Sequence, residues 1–393
     1  MERNERLFIE KNLPTVVIIT RTKWDEMPRI RHQVTRQLVR FFNVIYIEKH
    51  VGMKGYEHRD QMKKISNRLI IYSPSLPIPL PSRLFRIDPV THRIANTYIK
   101  KKIIKFIDQF DCKNRILFNF EFDFPEITRS PSFCYKIYLC NDEFPNMNLD
   151  NKNKMKAWFQ RNLLQYYENQ VIKNTDKCLA VSYPLKAKLR ELNPDTELFL
   201  PGHEFKTVLP MAKERSKKQQ VKVAFMGYID RRLDFEWLME ILKNPDMRLY
   251  LIGPRENIDT DFFPGLFNLE FVEPLTGELL QRKLFEMDVL IMPYDISFRG
   301  PITTTAPNKF FQYLAVGKPV VISDMPNFID MPIGVLYRAK TAVEFVTKIR
   351  QAYEEDNNEL INMRLKIAQE NTWDKRGVML CNIIQKRLNF LKK

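Results

Sequence analysis

Short runs of consecutive apolar residues, many of them β-branched, alternate along the chain with longer segments in which apolar residues recur every three or four positions. The first pattern is typical of strands buried on both faces of a sheet, and the second of helices that cover those faces. Their alternation predicts an α/β fold with parallel sheets. In the first half of the chain, strands are predicted at Thr15–Thr20, Val44–Glu48, Leu69–Tyr72, Arg115–Phe120, Lys136–Cys140 and Lys177–Val181, and helices near 29–42, 89–110, 152–174 and 183–192.

The alternation stops once, at a polar and Lys-rich stretch over residues 206–220 that we interpret as a linker. We therefore expect two Rossmann-like domains, over 1–205 and 221–372, and a last helical segment over 373–393. In the second half, strands are predicted at Val221–Met226, Arg248–Ile252, Leu269–Val272, Asp288–Met292, Pro319–Ser323 and Gly334–Tyr337, with helices near 233–243, 276–286, 306–316, 341–355 and 373–391.

Composition narrows the class of protein. Of the 393 residues, 44% are hydrophobic and 12% aromatic, which excludes a disordered chain. No apolar run approaches the ~18 residues of a membrane span, and the charged start MERNERLFIEKN does not resemble a signal peptide. The five cysteines include no CxxC pair, so we expect reduced thiols in a cytoplasmic protein.

Positive charge is concentrated in the first half. The net charge is +16, and residues 1–200 contain 35 Lys and Arg against 22 Asp and Glu. This excess predicts an anionic partner such as nucleic acid, an anionic membrane or an acidic polymer. In 93–110, an apolar stripe lies opposite lysines, and the aromatic and basic stretch Lys152–Tyr167 has similar chemistry. Such stripes either dock on an anionic membrane or pack on the protein's own sheet. The stripe in 93–110 is Ile99, Ile103, Phe106, Ile107 and Phe110, opposite Lys101, Lys102 and Lys105.

Residues that directly follow strands are the first candidates for chemistry, because ligands of open parallel sheets bind beyond the carboxyl ends of the strands. Gly227 follows one predicted strand and Gly253 the next, and arginines come shortly after both. In the segment 301–323, a capping threonine and a lysine precede a helix that Gly317 ends. Glycine turns, arginines and a helix start predict an anion site of diphosphate type.

The same segments resemble a known family. Gly227 with its arginines, DVLIMPY at 288–294 and NKFFQYLAVGKPVV at 308–321 are similar to the C-terminal half of GT-B glycosyltransferases, in particular the large retaining group. The run from Trp24 to His32 resembles a "WD..P.R.H" run of bacterial relatives that build cell-surface polysaccharides. The end of the chain resembles the helix that crosses back to the first domain in that family. The resemblance implies two Rossmann-like domains that face a cleft.

It also implies a donor site for a nucleotide-diphosphate sugar in the second domain, with no metal or other cofactor. The acceptor would be a glycan or a lipid-linked glycan, reached from the inner face of the cell membrane. The family's paired glutamates would fall at Thr304 and Gln312, and neither is glutamate. By the resemblance, the diphosphate would contact Gly227, Arg231, Arg232, Lys309 and Thr304 or Thr305, the base would lie near Gly253 and Arg255, and Gln312 would bind a ribose hydroxyl.

A carboxylate is needed to deprotonate the acceptor if the reaction inverts the anomeric configuration. We expect Asp142 to be the first candidate and Glu121 the second, with Asp123 and Glu143 at neighbouring strand ends. Each of these acids could equally cap a helix or remain solvated. His32, in a helical run after the first strand, either binds substrate hydroxyls or is structural.

Two other functions fit parts of the sequence. The isoelectric point near 9.5 is compatible with a nucleic-acid-binding protein, although no known nucleic-acid-binding motif is present. The missing glutamates are compatible with a non-catalytic GT-B-like scaffold. Asp259-Thr260-Asp261 spells the DxD metal signature of the other major glycosyltransferase fold, but we interpret it as a polar loop.

Overall fold

The computed structural model divides the chain into two units, which are described separately. The first comprises Met1–Leu200 with Arg376–Lys393, and the second comprises Pro201–Lys375. The second unit begins before the predicted linker, most of which lies outside the described residues. The residues described are 13–48, 59–78, 88–110, 112, 114–146, 154–206, 220–255, 267–296, 309–325, 331–332 and 334–391.

The first unit is built on an eight-stranded sheet in the order β3-β4-β2-β1-β5-β6-β7-β8. All neighbouring strands are parallel except β3 and β4, which are antiparallel. The strands are β1 (Thr15–Thr20), β2 (Asn43–Glu48), β3 (Gln61–Ser66), β4 (Leu69–Ser73), β5 (Arg115–Asn119), β6 (Tyr135–Cys140), β7 (Lys177–Ala180) and β8 (Thr196–Leu198).

Helices of the first unit connect these strands and begin at recognisable caps. Asp88 accepts the N–H of Thr91 at 3.1 Å, and Ser182 accepts the N–H of Leu185 at 3.3 Å. Both helices have proline in the first turn, where its missing N–H costs nothing. The helices are α1 (Ile30–Val39), α2 (Pro89–Ile107), α3 (Pro125–Thr128), α4 (Lys154–Lys173) and α5 (Tyr183–Arg190).

The second unit has a six-stranded, fully parallel sheet in the order β11-β10-β9-β12-β13-β14. Its strands are β9 (Val221–Met226), β10 (Met247–Ile252), β11 (Leu269–Val272), β12 (Val289–Met292), β13 (Val320–Ser323) and β14 (Leu336–Ala339). Its described helices are α6 (Phe235–Leu242), α7 (Gly277–Phe285), α8 (Phe310–Ala315), α9 (Ala342–Glu354) and α10 (Asn358–Glu370).

The last helix, α11 (Trp373–Phe390), begins in the second unit and lies with the first unit from Arg376 onward. Arg376 Nε donates to the carbonyl oxygen of Leu200 at 2.6 Å, and Gly377 packs against the side chain of Gln37 on α1. No helix in the described ranges is both long enough and apolar enough to cross a membrane.

Four elements escape the sequence pattern. All six residues of β3 are exposed, because it is an antiparallel edge strand, so it shows no apolar run. The strand β8 and the helix α3 are only three and four residues long. The helix α10 follows α9 after a three-residue gap and starts at the cap Asn357, whose side chain accepts the N–H of Leu360 at 3.0 Å.

The apolar stripe predicted in 93–110 is a packing surface. Ile99, Ile103, Phe106, Ile107 and Phe110 are all buried in one hydrophobic cluster with strands of the first sheet. Lys102, opposite the stripe, binds Asp60 at 2.7 Å. The second of the two interpretations of this stripe, packing on the protein's own sheet, is therefore confirmed.

Arg364 on α10 supports the segment that carries α8. Its side chain is fully buried. Nε donates to the carbonyl oxygen of Gly317 at 2.9 Å, Nη1 donates to that of Gly334 at 2.8 Å, and Nη2 binds the carboxylate of Asp356. Gly317, with φ at +72°, ends α8 as the sequence predicts. One guanidinium thus fixes the turns before β13 and β14.

We predict that Arg364→Met lowers the free energy of unfolding of the second unit by about 3–5 kcal/mol, because it leaves Asp356 and two carbonyl groups without their donor. Urea unfolding of the full chain measures this loss. Arg350→Met is the matched control, since the Arg350–Asp246 pair is about half exposed and its removal costs at most about 1 kcal/mol. Equal losses in the two variants would contradict this role for Arg364.

Candidate functional site

Two glycine turns form the floor of the candidate donor site in the second unit. Gly227 follows β9 and Gly253 follows the neighbouring β10, with φ at +137° and +136°, values that residues with a side chain rarely adopt. A Cβ on Gly253 would lie 2.3 Å from the carbonyl oxygen of Gly227, and a Cβ on Gly227 would lie 2.4 Å from Lys309 Nζ. The two turns therefore pack backbone to backbone, and the space beside Gly227 holds an ammonium group.

That ammonium group belongs to Lys309, which immediately precedes α8. Its Nζ lies 4.0 Å from the ring centroid of Phe225 and 5.4 Å from that of Tyr294. Burial lowers the pKa of Lys309 to about 7, the nearby Arg232 lowers it as well, and Asp230 opposes the shift. Within the ranges that the structure describes, no carboxylate forms an ion pair with Lys309. The site thus contains a desolvated cation with aromatic rings, but no acid, as its close partners.

The predicted arginines differ in their partners. Arg232 Nε lies 2.9 and 3.0 Å from the two carboxylate oxygens of Asp230. Burial raises the pKa of Asp230, but the bonds from Arg232 lower it by more. Arg255 lies 3.4 Å from Glu273, and Arg231 is exposed. Arg232 is therefore held in place by an acid.

The other residues predicted on the donor side lie only partly within the described residues. Thr304, Thr305 and the DxD sequence at 259–261 lie outside the described residues. Gln312 is half-buried on α8. The next residue, Tyr313, accepts the backbone N–H of Met226 at 2.8 Å and so ties α8 to the end of β9. Among the side chains that the structure describes, no three of His, Cys, Asp or Glu are grouped as metal ligands would be.

In the first unit, Arg21 joins the two acids that follow β5. Its backbone N–H donates to Glu121 Oε1 at 2.8 Å, and its Nε lies 2.9 Å from Oε2. Its Nη2 binds Asp123. Both carboxylates are buried, and Arg21 immediately follows β1, the neighbour of β5. Both oxygens of Glu121 are therefore engaged by Arg21, which leaves Glu121 poorly placed to accept a proton from a substrate.

Asp142 follows β6, the next strand along the sheet. It is half-buried, and its Oδ1 accepts the N–H of Glu143 at 2.9 Å. Arg31 of α1 lies beside this turn: its Nη2 is 3.2 Å from Asn141 Oδ1, and its guanidinium lies 5.5 Å from the ring centroid of Phe120. The turn that carries Asp142 thus lies beside the guanidinium of Arg31, where a substrate anion or hydroxyl could be bound.

Glu143, by contrast, belongs to a buried ion network. Its Oε1 lies 2.6 Å from Lys188 Nζ, and the same ammonium lies 2.7 Å from Glu168 Oε2. Tyr138 donates to the other oxygen of Glu168 at 3.1 Å. These bonds tie α4 and α5 to the sheet, so the role of Glu143 is structural.

Both ring nitrogens of His32 are occupied by the backbone. Nδ1 accepts the N–H of Arg29 at 2.9 Å, and Nε2 donates to the carbonyl oxygen of Lys23 at 3.0 Å. Its ring lies against Trp24 and Tyr46, and burial lowers its pKa, which favours the neutral form. Of the two roles considered for His32, this arrangement supports the structural one, because it fixes the loop that leads into α1.

Three residues of these sites escape the sequence analysis. Arg31 lies in the run from Trp24 to His32, which contributes only a motif, Arg21 precedes that run, and Asp230 is the acid between Gly227 and Arg232. An arginine directly after a buried strand is a signal that could have identified Arg21. Its pairing with Glu121, 100 positions away, requires the strand order of the sheet.

Comparisons with known proteins agree with this geometry. No known family profile matches the chain. The chain is 25% identical over 269 residues to TuaH of Bacillus subtilis (strain 168), a protein assigned provisionally as a teichuronic acid biosynthesis glycosyltransferase; the match covers 64% of this chain and 67% of TuaH.

Two solved structures share the fold over nearly the whole chain. Sucrose-phosphate synthase from Thermosynechococcus elongatus matches with a TM-score of 0.69 and 12% identity, over 97% of this chain and 100% of that protein. A trehalose-6-phosphate protein from E. coli bound with UDP-2-fluoro glucose matches with a TM-score of 0.66 and 10% identity, over 94% and 98%. The structural matches confirm the predicted GT-B fold, and the match to TuaH agrees with the predicted resemblance to glycosyltransferases.

Proposed function

We propose that this chain transfers a sugar from a nucleoside-diphosphate donor to a glycan or lipid-linked acceptor in the synthesis of a bacterial surface polysaccharide. One observation carries the donor half of the proposal: the ammonium group of Lys309 lies against the Gly227 turn, at the carboxyl end of β9, without an acid partner in the described residues. The likeness to TuaH supports the acceptor half.

The energetics of Lys309 favour a diphosphate as the missing partner. A half-buried ammonium loses hydration, and an anionic ligand restores the lost interaction through a charge-assisted bond. As the sugar leaves, negative charge builds up on the diphosphate, and a fixed cation stabilises that charge without reorganising. Lys309 would stabilise the leaving group, while Arg231 and Arg232 would bind the outer phosphate oxygens. In this proposal the cations of the protein stabilise the charge on the diphosphate without a metal ion.

On the acceptor side, we propose Asp142 as the base if the reaction inverts the anomeric configuration. Glu121 is a weaker candidate because both of its oxygens are bound by Arg21. Arg21 would then serve to hold Glu121 and Asp123 in place beside the acceptor, and Arg31 would orient the turn that carries Asp142. A lipid-linked acceptor also requires that the chain reach an anionic membrane from its cytoplasmic side.

Calorimetric titration of the full chain with a panel of nucleoside diphosphates, with and without EDTA, tests the proposal. We expect saturable binding of one of them, unchanged by EDTA and lost in Arg231→Ala/Lys309→Ala. Binding that disappears with EDTA would contradict the metal-free donor site alone. No response to any nucleotide, together with tight and strongly salt-dependent binding of DNA or RNA, would overturn the enzyme in favour of a nucleic-acid-binding protein.

We predict that the affinity for this nucleoside diphosphate falls as pH rises through about 7, by up to roughly tenfold per pH unit, because the bound diphosphate requires the protonated amine of Lys309. Titrations between pH 6.5 and 8.5 measure the slope. Lys309→Arg keeps its charge over this range, so its affinity should stay flat with pH, and Lys309→Met should bind weakly at every pH. A wild-type slope that persists in Lys309→Arg would assign the titration to another group.

We also predict that Gly253→Ala weakens nucleoside diphosphate binding by at least about tenfold. The added methyl would collide with the Gly227 carbonyl at 2.3 Å and displace the turn beside Lys309. Gly277→Ala is the matched control: Gly277 also has a positive φ, +56°, but a Cβ there meets nothing within 4 Å. That control should lose about 1 kcal/mol of stability and bind the nucleotide normally. Equal affinity in both variants would contradict the role of the Gly227–Gly253 contact.

A further inference from the structure

The first half of α4, together with Tyr166 in the next turn, presents apolar side chains to solvent. Met155 is 79% exposed, Trp158 65%, Phe159 52% and Tyr166 55%. The residues of α4 that pack on the protein begin only at Leu164 and continue to Ile172. Large exposed side chains scattered singly are ordinary, but four within twelve residues of one helix form a surface that water does not favour.

These side chains form one stripe. At ~100° per residue, the four residues Met155, Trp158, Phe159 and Tyr166 fall within a sector about 100° wide. The exposed cations of this half of the helix lie outside the sector, on both of its sides: Lys154 and Arg161 on one side, and Lys156 on the other. A helix with aromatic and apolar residues along one line and basic residues beside it is suited to the boundary between lipid headgroups and acyl chains.

The exposed charges of α4 beside the stripe have a single sign. The only acid of α4 is Glu168, which is buried and lies 2.7 Å from Lys188 Nζ. The neighbouring helix repeats the chemistry: the ring of His92 on α2 stacks on Tyr167 of α4 at 3.9 Å, and α2 exposes Val90 and Ile94, each by 65%, next to the exposed Arg93. The positive charge beside the stripe on α4 favours an anionic partner over a second copy of the chain, since two such faces would repel each other.

We propose that the stripe of α4 formed by Met155, Trp158, Phe159 and Tyr166, with Lys154, Lys156 and Arg161 beside it, docks the first unit on an anionic lipid bilayer. Trp158 and Tyr166 would sit at headgroup depth, where their amphipathic rings are favoured. The cations would bind lipid phosphates, each strengthening binding roughly fivefold near an anionic leaflet. This docking surface rests on the proposed function, because it serves an acceptor that is anchored in the membrane.

Flotation of the full chain with vesicles of phosphatidylcholine, with and without about one third phosphatidylglycerol, tests the surface. We expect binding that requires phosphatidylglycerol and weakens with salt. Lys154→Glu/Lys156→Glu/Arg161→Glu should weaken it by at least about a hundredfold. The matched control Arg282→Glu/Lys340→Glu/Lys375→Glu makes the same change in net charge at exposed positions of the second unit and should bind nearly as well as the wild type.

Tryptophan fluorescence distinguishes insertion of the stripe into the bilayer from electrostatic attraction to the bilayer surface. Trp158 is the most exposed of the four tryptophans, since Trp237 and Trp373 are buried and Trp24 is half-buried. Brominated lipids should therefore quench the wild type, and Trp158→Phe should bind vesicles with most of the quenching lost. Trp158→Ser/Phe159→Ser should bind at least tenfold more weakly. Quenching that is unchanged in Trp158→Phe would overturn the assignment of this stripe.

Nucleotide titration in the absence of vesicles separates this proposal from the donor site. A chain that binds a nucleoside diphosphate but no vesicle contradicts the docking surface alone, and the reverse result contradicts the donor site alone. A dimer in solution that Trp158→Ser/Phe159→Ser breaks, without any binding of vesicles, would show that a second copy covers the stripe and would overturn the proposal.

Discussion

Both candidate sites depend on one constraint: the central strands of each sheet are buried on both faces, so a charged side chain that is to meet a ligand finds room beyond the strand ends. All six residues of β1 are buried, and so are all four of β12 and β13. A charge within such a strand would lose its hydration without a partner. The first large polar groups therefore come just after the strands, as Arg21 does after β1, and the strand order decides which of them meet.

Arg21 and Lys309 show two outcomes of that constraint. Burial lowers the pKa of both groups. Two carboxylates raise the pKa of Arg21 by more than burial lowers it, so its pKa ends above the usual value. The cluster is therefore complete without a ligand. Lys309 has two aromatic rings instead, which attract a cation far less strongly than a carboxylate does, so its pKa ends near 7. A desolvated cation without an acid partner among the described residues raises the energy of the empty site and lowers that of the site filled with an anion. Under the proposed function, the difference between the two cations corresponds to a structural role for Arg21 and a binding role for Lys309.

A sequence pattern predicts the structure correctly where the pattern has a local cause. Thr15–Thr20, Val221–Met226 and Leu269–Val272 are confirmed to the residue, because each is a short, mostly apolar run bounded by polar or turn-forming residues. The glycines of the donor turns are visible for a similar reason, since a glycine after a strand marks a special backbone. The sequence pattern does not predict β3, whose exposed residues form no apolar run. It also does not show which residues contact each other in the fold. Glu121 and Glu143 follow strands in the same way, yet one contacts an arginine and the other a half-buried lysine of α5. Only the order of strands and helices in the fold settles which residue each of them contacts.

In the helices α2 and α4, too, the fold decides what a stripe of side chains contacts. Both have an apolar stripe with basic residues beside it, and the sequence alone allows each stripe to face lipid or the protein's own sheet. In α2 the stripe is mainly aliphatic and lies in the core, where isoleucine fills space between strands. In α4 the stripe is aromatic apart from one methionine and remains exposed, because the buried residues between Leu164 and Ile172 lie on the opposite side of the helix. Tryptophan and tyrosine carry a polar atom that must find a partner if the ring is buried, whereas at a membrane surface that atom remains in water or bonds a headgroup. The kind of apolar residue, together with the side of the helix that the protein covers, therefore distinguishes the packing stripe of α2 from the docking stripe that we propose on α4.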